Sequence, residues 1–327
     1  MISKVKILIT GANGYIGNCL FHFLKKKFNV IGVDCENNIN RDIHKINLLN
    51  INKLDNLLYQ IKPQVVIHLA AQSLVDETIN KNKYYKNNVL ATKNLVNLMK
   101  KNNIKNIIFS STASVYKKNK KPLSEKSKLE PLSYYAKTKF LCENNIKYTK
   151  GLSYIILRFF NVCSALSNPL VGELHNPETH LIPTVVYKSL KRKKIFIYGE
   201  NFDTYDGTCV RDYIHIKDIC LALEKSIKYL IQNKNSLLMN IGNSKGYSNK
   251  EVLNFVKSKI KKPIKVSFKK KKIGDVPSLL CNYKKAKLFL SWKPTNSNLD
   301  KIINDEITWI KKIDKMGIKR KFKNYIK

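Results

Sequence analysis

Tyr135-Ala136-Lys137-Thr138-Lys139 sets a phenol and an ammonium four residues apart, on one face of a helix. A free tyrosine ionises near pH ~10, too high for an efficient base at neutral pH. A cation close by favours the phenolate and lowers that value, so the pair has the makings of a general base. Spacing alone does not settle it, because Lys+Arg number 61 in this chain and such pairs also arise on surfaces by chance. Context strengthens the reading. Ser110-Ser111-Thr112 follows the apolar run Ile107-Ile108-Phe109, where a parallel strand would end and present side chains to a ligand. Thr112 can bridge a substrate hydroxyl and the tyrosine oxygen, or it can cap a local turn.

A second constellation opens the chain. Thr10-Gly11-Ala12-Asn13-Gly14-Tyr15-Ile16-Gly17 carries glycines in the spacing GxxGxxG between a short apolar run and a helical stretch. Glycines there allow a tight turn and close approach of the backbone to a pyrophosphate, which then rests on a helix N-terminus. Asp34 follows about 20 residues later at the end of the next apolar run, where a carboxylate accepts from ribose hydroxyls. The same charge repels a 2′-phosphate, so the pattern points to NAD rather than NADP.

These groups need a scaffold that brings strand ends together. The sequence reads as strands over 5–10, 29–34, 65–69, 107–110 and 153–160, alternating with helices over 15–27, 52–60, 87–101 and 135–150. Nearly continuous apolar strands in βαβα alternation predict an α/β fold with a doubly wound parallel (Rossmann) sheet covered on both faces. After Asn161 the pattern becomes irregular, with Pro169, Pro177 and Pro183 suggesting loops over a cleft. Residues 212–230 read as a strand and helix returning to the sheet, and 237–241 as another strand. The expected division is a dinucleotide-binding domain over 1–162 and 212–242, with a smaller interleaved lobe over 163–211 and 243–327.

Bulk properties exclude several classes. A chain of 327 residues with 43% hydrophobic and 26% charged side chains is an ordinary globular composition. No apolar run is long enough to span a bilayer, and the first residues run straight into a strand, so a cytoplasmic protein is expected. Seven scattered cysteines without a CxxC pair suggest neither a disulfide framework nor a zinc site, and no metal is expected. The net charge of +38 would suit a nucleic-acid binder, but the lysines are spread along the whole chain among asparagine, isoleucine and tyrosine. That distribution reads as compositional drift with a diffuse positive field, and no nucleic-acid partner is expected.

Taken together, the glycine loop, the strand-end acid, Ser-Ser-Thr and YxxxK resemble the extended short-chain dehydrogenase/reductase family. The run from Tyr198 to His215, with Asp206-Gly207-Thr208 and Arg211-Asp212-Tyr213-Ile214-His215, is similar to the signature of its UDP-glucose 4-epimerase group. So are Leu157-Arg158-Phe159-Phe160-Asn161 and Asn176-Pro177-Glu178-Thr179-His180-Leu181-Ile182-Pro183. The resemblance covers nearly the whole chain and implies an NAD-dependent isomerase acting on a UDP-hexose. It implies Thr112, Tyr135 and Lys139 as catalytic residues. It implies a cofactor site of Gly11, Gly14, Tyr15, Ile16, Gly17, Asp34, Asn37, Asn47, Leu48, Leu69, Ala70, Ala71, Ser73, Asn88, Ser110 and Phe160. Asn161, His180, Leu181, Phe196, Ile197 and Tyr198 are implied around the UDP part, with Arg211 and Lys272 on the diphosphate and Asp275 on the ribose. Leu279 is implied as a wall beside the sugar, where a residue smaller than tyrosine leaves room for an N-acetyl group.

Three positions depart from the commoner pattern of that group. Asn47 replaces an aspartate at the adenine amino group, and its amide oxygen can still accept. Lys272 replaces an arginine, keeping the charge but losing the bidentate fork. Ser73 stands where some members have lysine. The neighbouring nucleotide-sugar 4,6-dehydratases carry an Asp-Glu pair after the strand-end threonine; Ala113 and Ser114 occupy those places here and cannot act as acid or base. The family often forms homodimers through two helices, so a homodimer is an open expectation.

Overall fold

The computed structural model describes residues 5–36, 40–74, 80–117, 119, 121–175, 178–233, 235–271 and 275–318. Its main sheet is built from β1 (Lys6–Thr10), β2 (Asn29–Asp34), β3 (Ile43–Lys45), β4 (Val65–His68), β5 (Asn106–Thr112) and β6 (Ser153–Phe159). The strand Leu237–Ile241 completes it, giving the order Leu237–Ile241, β6, β5, β4, β1, β2, β3 with every pairing parallel. The chain reverses its direction of winding between β1 and β4, and the carboxyl ends of those strands frame a crevice there.

Period-two alternation explains why both faces are covered. Ile7, Ile9, Val65, Ile67 and Ile108 point to one side and pack with the helices Tyr15–Leu24 and Ile216–Asn233. Leu8, Val66, Ile107 and Phe109 point to the other, toward the helices Ile51–Ile61, Ala91–Lys101 and Tyr134–Lys147. All of these strand side chains are essentially inaccessible to water.

A smaller lobe packs the helices Leu181–Leu190, Asn249–Ile260 and Leu299–Lys315 around a third apolar cluster. The strand expected to return to the main sheet does not do so. Val210–His215 pairs in parallel with Asn161–Cys163 and Ser278–Leu279 and antiparallel with Gly246–Ser248, forming a sheet of its own. Its polar centre gives the reason. Asp212 is fully buried and accepts backbone N–H groups of Asn243, Ser244 and Cys281 at 2.6, 2.8 and 3.0 Å. Burial pushes this carboxyl up to about 6, with those three amides opposing the shift. The helix that follows and the strand Leu237–Ile241 do join the main sheet.

The helix expected over 87–101 is longer and interrupted. It begins as Lys81–Tyr84, widens into a π turn over Tyr85–Leu90 and resumes as Ala91–Lys101. Such widened turns place a side chain out of helical phase, frequently beside a functional site. Here that side chain is Asn88.

Candidate active site

A cleft of about 1560 Å³ runs across the carboxyl ends of the main-sheet strands and into the smaller lobe. At one end lies the glycine loop. Gly11 has φ +72° and a Cβ there would meet the Ala70 nitrogen at 2.7 Å. A Cβ on Gly17 would sit 1.9 Å from the Gly11 carbonyl oxygen, so the loop closes on the helix only with glycine at that position. Asp34 accepts the Asn13 N–H at 2.9 Å and the Glu36 N–H at 3.1 Å, which fixes its carboxylate at the cleft rim. A backbone cradle that no side chain can fill, with a carboxylate one strand away, fits the pyrophosphate and ribose of NAD.

The walls of this end hold most of the expected cofactor residues. Gly14, Tyr15, Ile16, Asn47, Leu48, Leu69, Ala70, Ala71, Ser73, Ser110 and Phe160 all line the cleft. Tyr15 donates its hydroxyl to the Ser164 carbonyl at 2.5 Å, tying the loop to the smaller lobe. Asn47 Oδ1 accepts the Leu49 N–H at 2.9 Å, which leaves one lone pair on that oxygen. Asn88 lies behind the wall rather than on it, buried at 1% exposure. Its amide accepts from Gln72 N–H at 2.7 Å and donates to Thr138 Oγ1 at 2.9 Å, so the π turn braces the 69–73 segment. Asn37 lies outside the described residues.

At the centre of the cleft, Thr112 ends β5 opposite the first turn of the helix Tyr134–Lys147, where Tyr135 stands. Thr112 lines the cleft, and its Oγ1 caps a local turn by accepting the Ser114 N–H at 3.1 Å. Burial pushes the Tyr135 hydroxyl up to about 12, opposed by its hydrogen bond with Thr112. The Lys139 ammonium donates to the Ser110 carbonyl at 2.8 Å and lies 4.7 Å from the centre of the Phe109 ring. Burial in turn lowers Lys139 to about 8, with Cys142 and Glu143 opposing.

Beneath these residues lies a polar layer that sequence reasoning did not single out. Glu143, one turn beyond Lys139, is fully buried and receives Arg158 through Nε at 2.8 Å and Nη2 at 2.6 Å, and the Ser111 hydroxyl at 2.5 Å. Burial raises this carboxyl, but Arg158 and Ser111 outweigh it and the net shift is downward. His68 sits between Thr10 Oγ1 at 2.7 Å and Thr92 Oγ1 at 2.9 Å and is held near 3 by burial first and the Lys139 charge second. The YxxxK spacing continued to Glu143 and the Leu-Arg-Phe-Phe-Asn run were the available signals.

The far end of the cleft opens into a second cavity of about 320 Å³. Asn161, His180, Tyr198, Arg211 and Asp275 line both, and Leu181 and Phe196 line the second. Ile197 faces elsewhere: in the strand Ile195–Tyr198 alternate side chains face opposite ways, and Ile197 is buried in the third apolar cluster. Arg211 donates to the Val276 carbonyl at 2.7 Å and stands 3.6 Å from Asp275, so the expected diphosphate and ribose ligands hold each other. Lys272 lies outside the described residues, but Lys270 and Lys271 line the cleft. Leu279 lines it too and packs against a cluster containing Phe160 and Cys281.

His180 is part of a group absent from the sequence expectations. Glu173, fully buried, approaches Nδ1 of His180 at 2.6 Å and also meets Nδ1 of His175. Glu178 Oε1 lies 3.3 Å from the same His180 nitrogen. Ligating atoms of these four residues lie within 4.8 Å of one another, in a chain where no metal was expected.

The sheet, the glycine cradle and the Tyr-Lys helix define a dinucleotide-binding α/β enzyme with a second, ligand-holding lobe. The sequence pattern of the NAD dependent epimerase/dehydratase family matches residues 7–242, and the chain belongs to that family. It is 34% identical over 302 residues to a UDP-glucose 4-epimerase of Rhizobium meliloti (strain 1021), covering 88% of this chain and 92% of the relative. Its fold is similar to the crystal structure of UDP-glucose 4-epimerase from Brucella ovis in complex with NAD, with TM-score 0.89, 28% identity and coverage of 94% and 98%. The structure of UDP-glucose 4-epimerase from Bifidobacterium longum in complex with NAD+ and UDP is similar as well, with TM-score 0.86, 28% identity and the same coverages.

Proposed function

We propose that this chain is a UDP-glucose 4-epimerase, interconverting UDP-glucose and UDP-galactose with NAD retained in the cleft. One observation carries the reading: a single cleft joins the glycine cradle, the Thr112–Tyr135 pair and the Arg211–His180 end. A dinucleotide and a nucleotide sugar can therefore meet over the tyrosine. Tyr135 takes the proton of the sugar 4-hydroxyl, with Thr112 hydrogen-bonded to both oxygens. NAD held by the glycine loop and Asp34 would supply a reversible hydride acceptor for C4, and its positive ring would favour the Tyr135 phenolate. Arg211, His180 and the lysines at 270 and 271 hold the diphosphate while the 4-keto sugar turns its other face to the cofactor. Lys139, fixed by the Ser110 carbonyl, adds a positive charge beneath the reacting centre.

A dehydratase reading is disfavoured, because Ala113 offers no acid or base and Ser114 bonds to Thr112. Turnover of UDP-galactose by purified protein without added NAD tests the proposal; failure to form UDP-glucose contradicts it.

The reading extends to organisation. The helix Ile216–Asn233 packs on the main sheet, which supports an NAD-binding domain over 1–162 joined by 216–242, with a UDP-sugar lobe over 163–211 and 243–327; the strand Val210–His215, expected with the first domain from 212, pairs instead in the separate sheet. Exposed Tyr85, Leu90 and Leu141 on two adjacent helical segments support a homodimer through that face. Among the described residues no helix is long and apolar enough to cross a membrane. Seven free cysteines, six of them buried, suit a reducing cytoplasm. The scattered lysines favour no nucleic-acid partner.

A further inference from the structure

We propose that Ser111, Glu143 and Arg158 are positioning residues for the proton transfer at Tyr135: together they fix the stretch of β5 that aims Thr112 into the cleft. The proposal rests on the UDP-hexose reading and adds to it three residues that act through Thr112 and Tyr135.

A polar row crosses three adjacent strands of the main sheet. In register, Ser111 of β5 stands beside Arg158 of β6, and Arg158 beside Asn240 of the strand Leu237–Ile241. All three are buried, on the face that otherwise holds Ile107, Phe109 and Ile156. Glu143 reaches the row from the helix Tyr134–Lys147. It accepts Arg158 Nε at 2.8 Å, Arg158 Nη2 at 2.6 Å and the Ser111 hydroxyl at 2.5 Å. Lys147 stands 3.3 Å from the same carboxylate. The Arg158 guanidinium also lies over the Tyr116 ring, 4.7 Å from its centre, and the Tyr116 hydroxyl donates to Asn240 Oδ1 at 2.6 Å.

An apolar layer of similar volume would hold the sheet and helix together at least as well, because desolvating a buried ion pair offsets much of its attraction. What a two-pronged Arg–carboxylate contact adds is direction. Its target here is the end of β5. Tyr135, Lys139 and Glu143 follow one another at four-residue steps and share one face of their helix. At that spacing Lys139 and Glu143 could pair with each other, yet each reaches across to β5. Lys139 donates to the Ser110 carbonyl at 2.8 Å, and Glu143 accepts from the Ser111 hydroxyl. The two residues before Thr112 are thus both held by the helix that carries the tyrosine. Side chains alternate along a strand, so with Ser111 turned to Glu143, Thr112 is directed off that face. There it lines the cleft and meets the Tyr135 hydroxyl. Tyr116, also on the cleft wall, is backed by the same guanidinium.

Kinetics of UDP-galactose epimerisation by the NAD-loaded protein test this, with bound NAD and melting temperature measured on the same samples. Ser111→Ala removes one hydroxyl and leaves the contact between Arg158 and Glu143, so the fold should survive. Its kcat should fall about tenfold or more while KM, NAD content and melting temperature stay near wild type, since small misplacements of reacting groups cost up to ~10²-fold. Ser111→Thr, which keeps the hydroxyl, should recover most of that loss. Wild-type kcat in Ser111→Ala overturns the proposal. So does a loss that threonine leaves unrepaired, or one that comes with lost NAD or a lowered melting temperature. Should Ser111→Ala not fold, the double variant Glu143→Leu with Arg158→Met, an apolar layer, takes its place and should show the same selective loss of kcat. Wild-type kcat there overturns the proposal, and a layer whose every variant unfolds is structural, which overturns it too. A wild type that turns over no UDP-galactose refutes the substrate reading itself. The positioning role is then read from the Tyr135 hydroxyl, by ultraviolet difference titration of the NAD-loaded protein against Tyr135→Phe. Ser111→Ala should raise its midpoint by weakening the bond from Thr112, and an unchanged midpoint overturns the proposal.

Discussion

The ammonium of Lys139 donates to the carbonyl oxygen of Ser110 at 2.8 Å, binding the Tyr-Lys helix to the carboxyl end of β5. Ser110 Oγ in turn donates to the His68 carbonyl at 3.2 Å, so the bond continues to β4 at the crevice where the sheet reverses its winding. Lys139 thus ties the Tyr-Lys helix to the carboxyl end of β5.

Burying that ammonium has a stability consequence with a defined sign. Its folded value is about 8, below the ordinary ~10.4 of lysine. Between those values the unfolded chain binds the extra proton, so the penalty is complete below about pH 8 and relieved as pH rises toward ~10.4. Lys139→Met should therefore melt at or above the wild-type temperature at neutral pH, with the gap narrowing as pH rises, while activity falls ~10²-fold or more. A variant that melts well below wild type at neutral pH would show that the Ser110 bond outweighs the burial penalty.

Tyr135→Phe should lose turnover by ~10²–10⁴-fold and keep its affinity for UDP-glucose. The hydroxyl is pushed up to about 12 in the protein alone, so ultraviolet titration should show this value fall when NAD binds. Near-wild-type turnover in the phenylalanine variant excludes Tyr135 as the base.

Gly17→Ala puts a Cβ where 1.9 Å separates it from the Gly11 oxygen, and the loop must open to admit it. NAD(H) released by denaturing the purified variant should fall well below one per chain, against near-full occupancy in wild type. Recovery of mainly NADP(H) from wild type would contradict the role given to Asp34.

Much of this architecture is legible locally. The glycine loop, Asp34 and the apolar strands reveal themselves because turn chemistry and alternation are properties of neighbours in sequence. Ile197 shows the same rule unused: alternation with Phe196 and Tyr198 turns it into the core. Glu173, Glu143 and Arg158 were not legible as a site, because a carboxylate in a sequence does not announce that a distant histidine or arginine will bury against it. The strand Val210–His215 misled for the related reason that its partner strands are chosen by tertiary packing. The interruption of the helix at Tyr85–Leu90 had no periodicity signal.

Leu279 stands at the cleft wall and packs beside Phe160. UDP-N-acetylglucosamine should be epimerised measurably by wild type, and Leu279→Tyr should lower kcat/KM for it by ~10-fold or more relative to UDP-glucose. No N-acetyl activity in wild type, or full retention in the tyrosine variant, removes Leu279 as the gate.

In the proposed reaction one cleft oxidises C4 of the sugar and returns the same hydride to its other face. UDP-glucose carrying deuterium at C4 measures this directly, with the protein supplied no cofactor beyond what it purifies with. UDP-galactose should retain essentially all of its deuterium at C4, because the label never leaves the cleft. Deuterium lost to solvent, or conversion that requires added NAD in proportion to product, would contradict it.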